Sequence, residues 1–97
     1  MHKSDLQIIR LIESFPSIAW RAEMYRKAGE FNVDEFMSHW GTSSSGERHA
    51  LLFVANVWNP GYATESKWNF DLFDACGSWD TKHRLAAIEW MKQPFWP

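Results

Sequence analysis

The 97-residue chain has one cysteine, five glycines, four prolines and two tyrosines, and no large surplus of either charge. Each shortage removes a class of protein. The lone Cys76 cannot close an intramolecular disulfide, and four well-spaced zinc ligands are missing, so neither device is expected to hold the fold. Ten Lys and Arg face twelve Asp and Glu, scattered without a run of one sign, for a formal net charge of −2. A dedicated phosphate-backbone binder neutralises phosphates with a clustered basic face, and none is visible. Nor is the chain acidic enough to imitate DNA by charge density. The longest apolar run, Ala50–Ala55, is far too short to span a bilayer. The start, Met1-His2-Lys3-Ser4-Asp5-Leu6, lacks a signal-peptide apolar region and cleavage site. Cytoplasmic residence with no membrane partner is the expectation.

What the chain has in excess is aromatic surface. Seven Trp, seven Phe and two Tyr make 16% of it. That load, with Leu, Ile, Val, Met and Ala, can furnish one hydrophobic core, and a chain this short has room for no second. A single α-helical domain over residues 1–97 is expected.

Apolar residues at three- and four-residue spacing predict a first helix carrying Leu6, Ile8, Ile9, Leu11, Ile12 and Phe15, capped by Ser4 and ended by Pro16. Ser17 is placed to cap a second, Ile18 to Ala28, stopped by Gly29. Asn32 with Glu35 resembles a capping box for a third, carrying Phe36, Met37 and Trp40 and stopping at Gly41. The best local signal is Ser44 with Glu47, a Ser-x-x-Glu box before the run that continues to Trp58. A helix apolar on nearly all sides is one surrounded by others, so residues 45–58 are read as the central helix, terminated by Asn59-Pro60-Gly61. Tyr62 to Trp68 reads as a polar loop with two aromatics. Asn69 caps Phe70 to Cys76, ended by Gly77; Asp80 caps Thr81 to Lys92, with Leu85, Ile88 and Met91 on a core-facing stripe beside Ala87. The fold class is all-α, a bundle of five or six short helices around 45–58.

Catalytic and metal-binding constellations find no support. No two of His2, His39, His49 and His83 stand four apart, and the histidines read as exposed or capping. Cys76 precedes a helix-ending glycine rather than opening a helix, and reads as a small buried apolar side chain. Ser43, Ser44 and Ser45 lack a Gly-x-Ser-x-Gly elbow. Asp71 and Asp74 complement a helix N-terminus. Asn56 interrupts the most apolar helix and must find partners, either in a neighbouring backbone or as a packing register. No cofactor and no enzymatic activity are expected. Arg21, Arg26 and Lys27 on the second helix and Lys82, His83 and Arg84 on the last are the residues a small nucleic-acid-binding regulator would use, though interspersed Glu23, Glu30 and Glu89 suit solvated faces better.

Trp20, Phe36, Phe53, Phe73 and Trp90 fall within helices and read as core. Tyr62, Trp68, Phe95 and Trp96 fall in a loop and in the tail Pro94-Phe95-Trp96-Pro97, where surfaces and frayed ends are the rule. Aromatics dominate protein–protein hot spots, so these four are the candidate protein-binding residues. The tail docks either on its own core or on a partner.

Ser44-Ser45-Gly46-Glu47 before an apolar helix ending Trp58-Asn59, then Asn69-Phe70-Asp71, Trp79-Asp80 with His83-Arg84, Trp90 and the closing Pro94-Phe95-Trp96-Pro97, resembles small plasmid and prophage accessory proteins. The resemblance covers roughly the C-terminal half. It implies a context, since accessory proteins of mobile elements, anti-CRISPR proteins among them, act by binding host machinery. A non-enzymatic protein that binds a host protein or nucleoprotein complex, as an inhibitor of host defence, is the leading expectation; a nucleic-acid-binding regulator is the alternative.

Overall fold

Capping chemistry sets most of the helix starts in the computed structural model, which describes residues 2–96. Helix α1 spans Lys3–Ser14 and is capped by the His2 imidazole, whose Nδ1 accepts from the Ser4 amide at 3.4 Å, so the cap lies two residues before Ser4, which is itself helical. Asn32 Oδ1 accepts from the Glu35 amide at 3.0 Å and opens α3, Val33–Ser38. The Ser44/Glu47 box is complete in both directions and opens α4, Ser45–Trp58. Asp80 accepts from the His83 amide at 2.9 Å and opens α7, Thr81–Lys92.

Elsewhere the local chemistry differs from the expectation. Residues 18–28 do not form one helix. A 3-10 turn, Ala19–Arg21, leads into α2, Ala22–Ala28. Ser17 caps nothing there because its hydroxyl faces His83. Gly29 does end α2, in the left-handed region at φ 79° that a glycine enters without a Cβ penalty. The stretch read as a loop after Asn59 begins instead with α5, Pro60–Glu65, since a proline at the first helical position lacks only an amide that would be unpartnered anyway. Asn59 terminates α4 and, through Oδ1 to the Tyr62 amide at 3.0 Å, caps α5. The cap of α6, Leu72–Ser78, is Asp71 rather than Asn69, so the helix starts later and runs through Gly77.

The result is an all-α bundle of seven α-helices and two short 3-10 turns, with no strand among the described residues. Helix α4 is its axis: Ala50 to Ala55 and Val57 are all buried. Around it α1 contributes Ile8, Ile9, Leu11 and Ile12, and α3 contributes Val33, Phe36 and Met37. Phe53 is the hub, with its ring centroid 5.4 Å from Phe15, 5.2 Å from Phe70, 6.2 Å from Trp79 and 5.5 Å from Trp90. No helix is long and apolar enough to cross a membrane among the described residues.

The boundaries of α7 match the sequence reading but its orientation does not. The buried face is His83, Ala86 and Ala87, while Leu85, Ile88 and Met91 are exposed. Helix α7 lies against α1, and small residues on the contact face let the two backbones approach. Two more aromatics read as core are exposed: Trp20 at 69% and Phe73 at 87%. Cys76 is exposed rather than buried, and His83 is buried rather than exposed.

Candidate functional site

Helices α6 and α7, which lie alongside α4, make the most unusual surface of the molecule. Helix α6 is held by α4, through the fully buried Ala75, whereas α7 is held by α1. Trp79 locks the corner between them: it is 4% exposed and its indole Nε1 donates to the Gly46 carbonyl at 3.1 Å. A groove of about 360 Å³ stays open between them. Its lining from α4 is Phe53, Asn56 and Val57. Phe70 and Leu72 line it from the α6 side, and Trp90 and Met91 from α7. A smaller depression of about 100 Å³ shares Leu72 and Met91 with it and continues past Cys76, Arg84 and Ile88. Leu72 near the start of α6 and Met91 near the end of α7 share one groove, so the helices run antiparallel.

Asn56 is the one amide in this apolar lining. Its Nδ2 donates to the Leu52 carbonyl and to the Trp68 carbonyl, each at 2.8 Å, which ties α4 to the segment after α5. These bonds use the amide nitrogen, and Asn56 is the one polar side chain in the groove lining among the described residues. Ligand grooves characteristically combine apolar walls with a few polar groups that fix orientation.

The tail completes the groove. Trp90 Nε1 donates to the Phe95 carbonyl at 3.2 Å and folds the chain back along α7. Phe95 is half-buried in a separate depression between α1 and α7, beside Leu11 and Ala86. Trp96 is 62% exposed and stands edge-on to Trp90, with centroids 5.3 Å apart, at the rim of the groove. Pro97, also part of the tail motif, lies outside the described residues.

Of the four aromatics singled out from the sequence, only Trp96 lines this groove. Tyr62 is half-buried against Trp58, centroid separation 5.4 Å, and its hydroxyl donates to Asp34 at 3.1 Å. Burial first, and the Asp34 carboxylate second, hold the Tyr62 phenol above its ordinary range. Trp68 is half-buried against Trp40 at 5.0 Å. Leu72, Phe73, Ile88 and Met91 were missed because a helical stripe in sequence shows that a face is apolar and not which way it points.

The basic residues are largely committed to the fold. Arg21 is 3% exposed, and Arg26 makes a two-pronged pair with Glu13 at 2.6 and 2.7 Å. Arg84 donates to the Trp79 carbonyl at 3.0 Å. Lys27 and Lys82 are the two of the six candidate cations that are exposed lysines.

One constellation joins residues 66 positions apart and was invisible in the sequence. The Ser17 hydroxyl lies 2.8 Å from His83 Nε2, and His83 Nδ1 lies 2.7 Å from Asp80 Oδ1. The Ser17 amide also donates to Nε2 at 3.3 Å, which makes Nε2 the acceptor and Nδ1–H the donor. The order matches a hydrolase triad, but the imidazole is wedged between the Phe15 and Trp79 rings at 6.1 and 6.2 Å. Ser17 lines neither the groove nor the two depressions beside it. The trio fastens the α1–α2 corner to the start of α7. Hydrogen bonds from the His83 amide, then from its ring, hold the Asp80 carboxyl below its usual range. A lowered folded-state pKa adds stability that is present above the unfolded value of about 3.9 and lost as pH falls through the folded one. Asp80→Asn is therefore expected to flatten the acid limb of a stability-versus-pH curve below about pH 4, read by circular dichroism. An unchanged acid limb would show that the contact contributes nothing to folding.

No protein-family model matches the chain, and no curated protein or solved structure matches it.

Proposed function

We propose that the protein is a non-enzymatic binding module whose working surface is the apolar face of α6 and α7. The observation that carries this reading is a groove whose lining holds no polar side chain but Asn56 among the described residues, with Leu72, Met91 and Trp96 exposed on its walls, Ile88 exposed in its extension and Phe73 exposed one residue along α6. A folded chain gains nothing by leaving a large contiguous apolar patch in water, and such patches mark contact surfaces. A concave aromatic-walled site flanked by large apolar side chains is the form that interface hot spots take. The resemblance to accessory proteins of mobile elements supports a host protein or nucleoprotein complex, a defence complex among them, as what the module meets. That part rests on the resemblance alone.

Met91→Glu tests it. Met91 is 47% exposed and lines both the groove and its extension, so a carboxylate there disturbs the face while sparing the core. The wild-type protein, immobilised, is expected to retain a protein partner from host lysate, with retention lowered at least ~10-fold by Met91→Glu at unchanged circular dichroism. Equal retention by both proteins, or by neither, overturns the reading.

A further inference from the structure

The α6–α7 face carries both halves of a contact. Phe73 is 87% exposed on α6, the most exposed large apolar side chain on the surface described. It directly follows Leu72, which lines the groove. A protruding ring and a cavity large enough to take one therefore sit within one turn of the same helix. We infer that a second copy of this chain occupies the face, in a two-fold dimer in which Phe73 of each protomer enters the groove of its partner. This rests on the reading of α6–α7 as a docking face and names what covers it when no other protein does.

Three observations favour a second copy over other occupants. The first is self-complementarity. A two-fold interface must present the same patch on both sides, and the protruding Phe73 and the Leu72 wall of the groove are carried by the same short helix. The second is area. The side chains of Leu72, Phe73, Ile88, Met91 and Trp96 expose roughly 500 Å² in all, about two-thirds of the ~800 Å² per partner of a standard interface. The third is charge. Asp71 and Asp74 stand at the Leu72 end of α6, where Lys92 is paired with Glu89, while Lys82 and Arg84 stand in the first turn of α7 at the opposite end, where Asp80 is bonded to His83. An antiparallel approach of two copies sets the acidic end of each against the basic end of the other, which fixes register as well as attraction. A helix or loop of another protein has to displace the second copy, so heterologous binding is competitive with dimer formation.

Sedimentation velocity of the wild-type chain across about 1–200 µM decides the matter. The expected result is a concentration-dependent shift from one chain mass to two, with a dissociation constant in the micromolar range. Phe73→Glu is expected to weaken dimerisation at least ~100-fold while leaving circular dichroism unchanged, since the position is exposed and a carboxylate suits the first turn of α6. A wild-type chain that stays monomeric throughout overturns the inference, as does a dimer that survives Phe73→Glu. Neither result touches the binding reading, which falls only if Met91→Glu leaves partner capture unchanged or no partner is captured.

Discussion

Phe53→Ala is expected to lower the melting temperature by ~20 °C. Phe53 is 5% exposed in the middle of α4 and faces rings from the end of α1 (Phe15, its C-cap), the segment before α6, the α6–α7 corner and α7. Those neighbours hang on different elements, so none can relax into the space without pulling its own helix out of place. Removing a buried ring costs the transfer energy of the lost surface and leaves a cavity as well, together about 4 kcal/mol. For a domain of this length each kcal/mol shifts the midpoint by roughly 5 °C. Thermal circular dichroism of the variant checks it, and a fall of under about 5 °C would show that the cluster repacks freely. Phe53 also lines the groove, so the proposed dimer should be lost in the variant even at temperatures where it is folded.

Arg21 is the second position with a large expected effect, for a different reason. Its guanidinium is buried over the Phe36 ring, 4.6 Å from the centroid, and Nη2 donates to the Phe36 carbonyl at 2.9 Å. Helix α3 is only six residues long, so that carbonyl belongs to its last turn, where backbone acceptors lack intrahelical donors. Nη2 also reaches the Tyr25 hydroxyl at 3.4 Å and Glu35 at 3.5 Å. Tyr25 in turn donates to Glu35 at 2.7 Å, and burial with that carboxylate raises the Tyr25 phenol far above its ordinary range. Against these bonds stands the buried Arg21 Nε, which has no partner. Arg21→Ala removes the donor and the packed stem together, and is expected to cost about 3 kcal/mol in urea denaturation. Arg21→Met keeps an apolar stem and brings no charge to desolvate, so about 1 kcal/mol is expected. Equal losses in the two variants would mean that the charge, rather than the filled space, holds α2 against α3.

The sequence was most legible where structure is decided locally. The Ser44–Glu47 box and Asn59 bound α4 correctly because a cap is a matter of a few neighbouring hydrogen bonds. The same holds for Asp80 at α7 and Gly29 after α2. It failed where one residue has two local roles. Pro60 ends one helix and starts the next, and only the first role was read. It failed again where the deciding partner is remote. Leu85, Ile88 and Met91 form a true apolar stripe, yet Ala86 and Ala87 win the buried position because small side chains admit α1. Trp20 and Phe73 are likewise exposed by the arrangement of whole helices. The groove needs α4, α6, α7 and the tail at once, so no window of sequence contains it.

The ring-to-ring path from Phe15 through Phe53 and Trp90 reaches the surface at Trp96 without a break. Close-packed interiors transmit displacement instead of absorbing it. A chain arriving at Trp96 therefore meets a wall braced by the whole core. A partner docking there, as proposed, would meet a ready shape, with the encounter rate set by diffusion and orientation rather than by rearrangement.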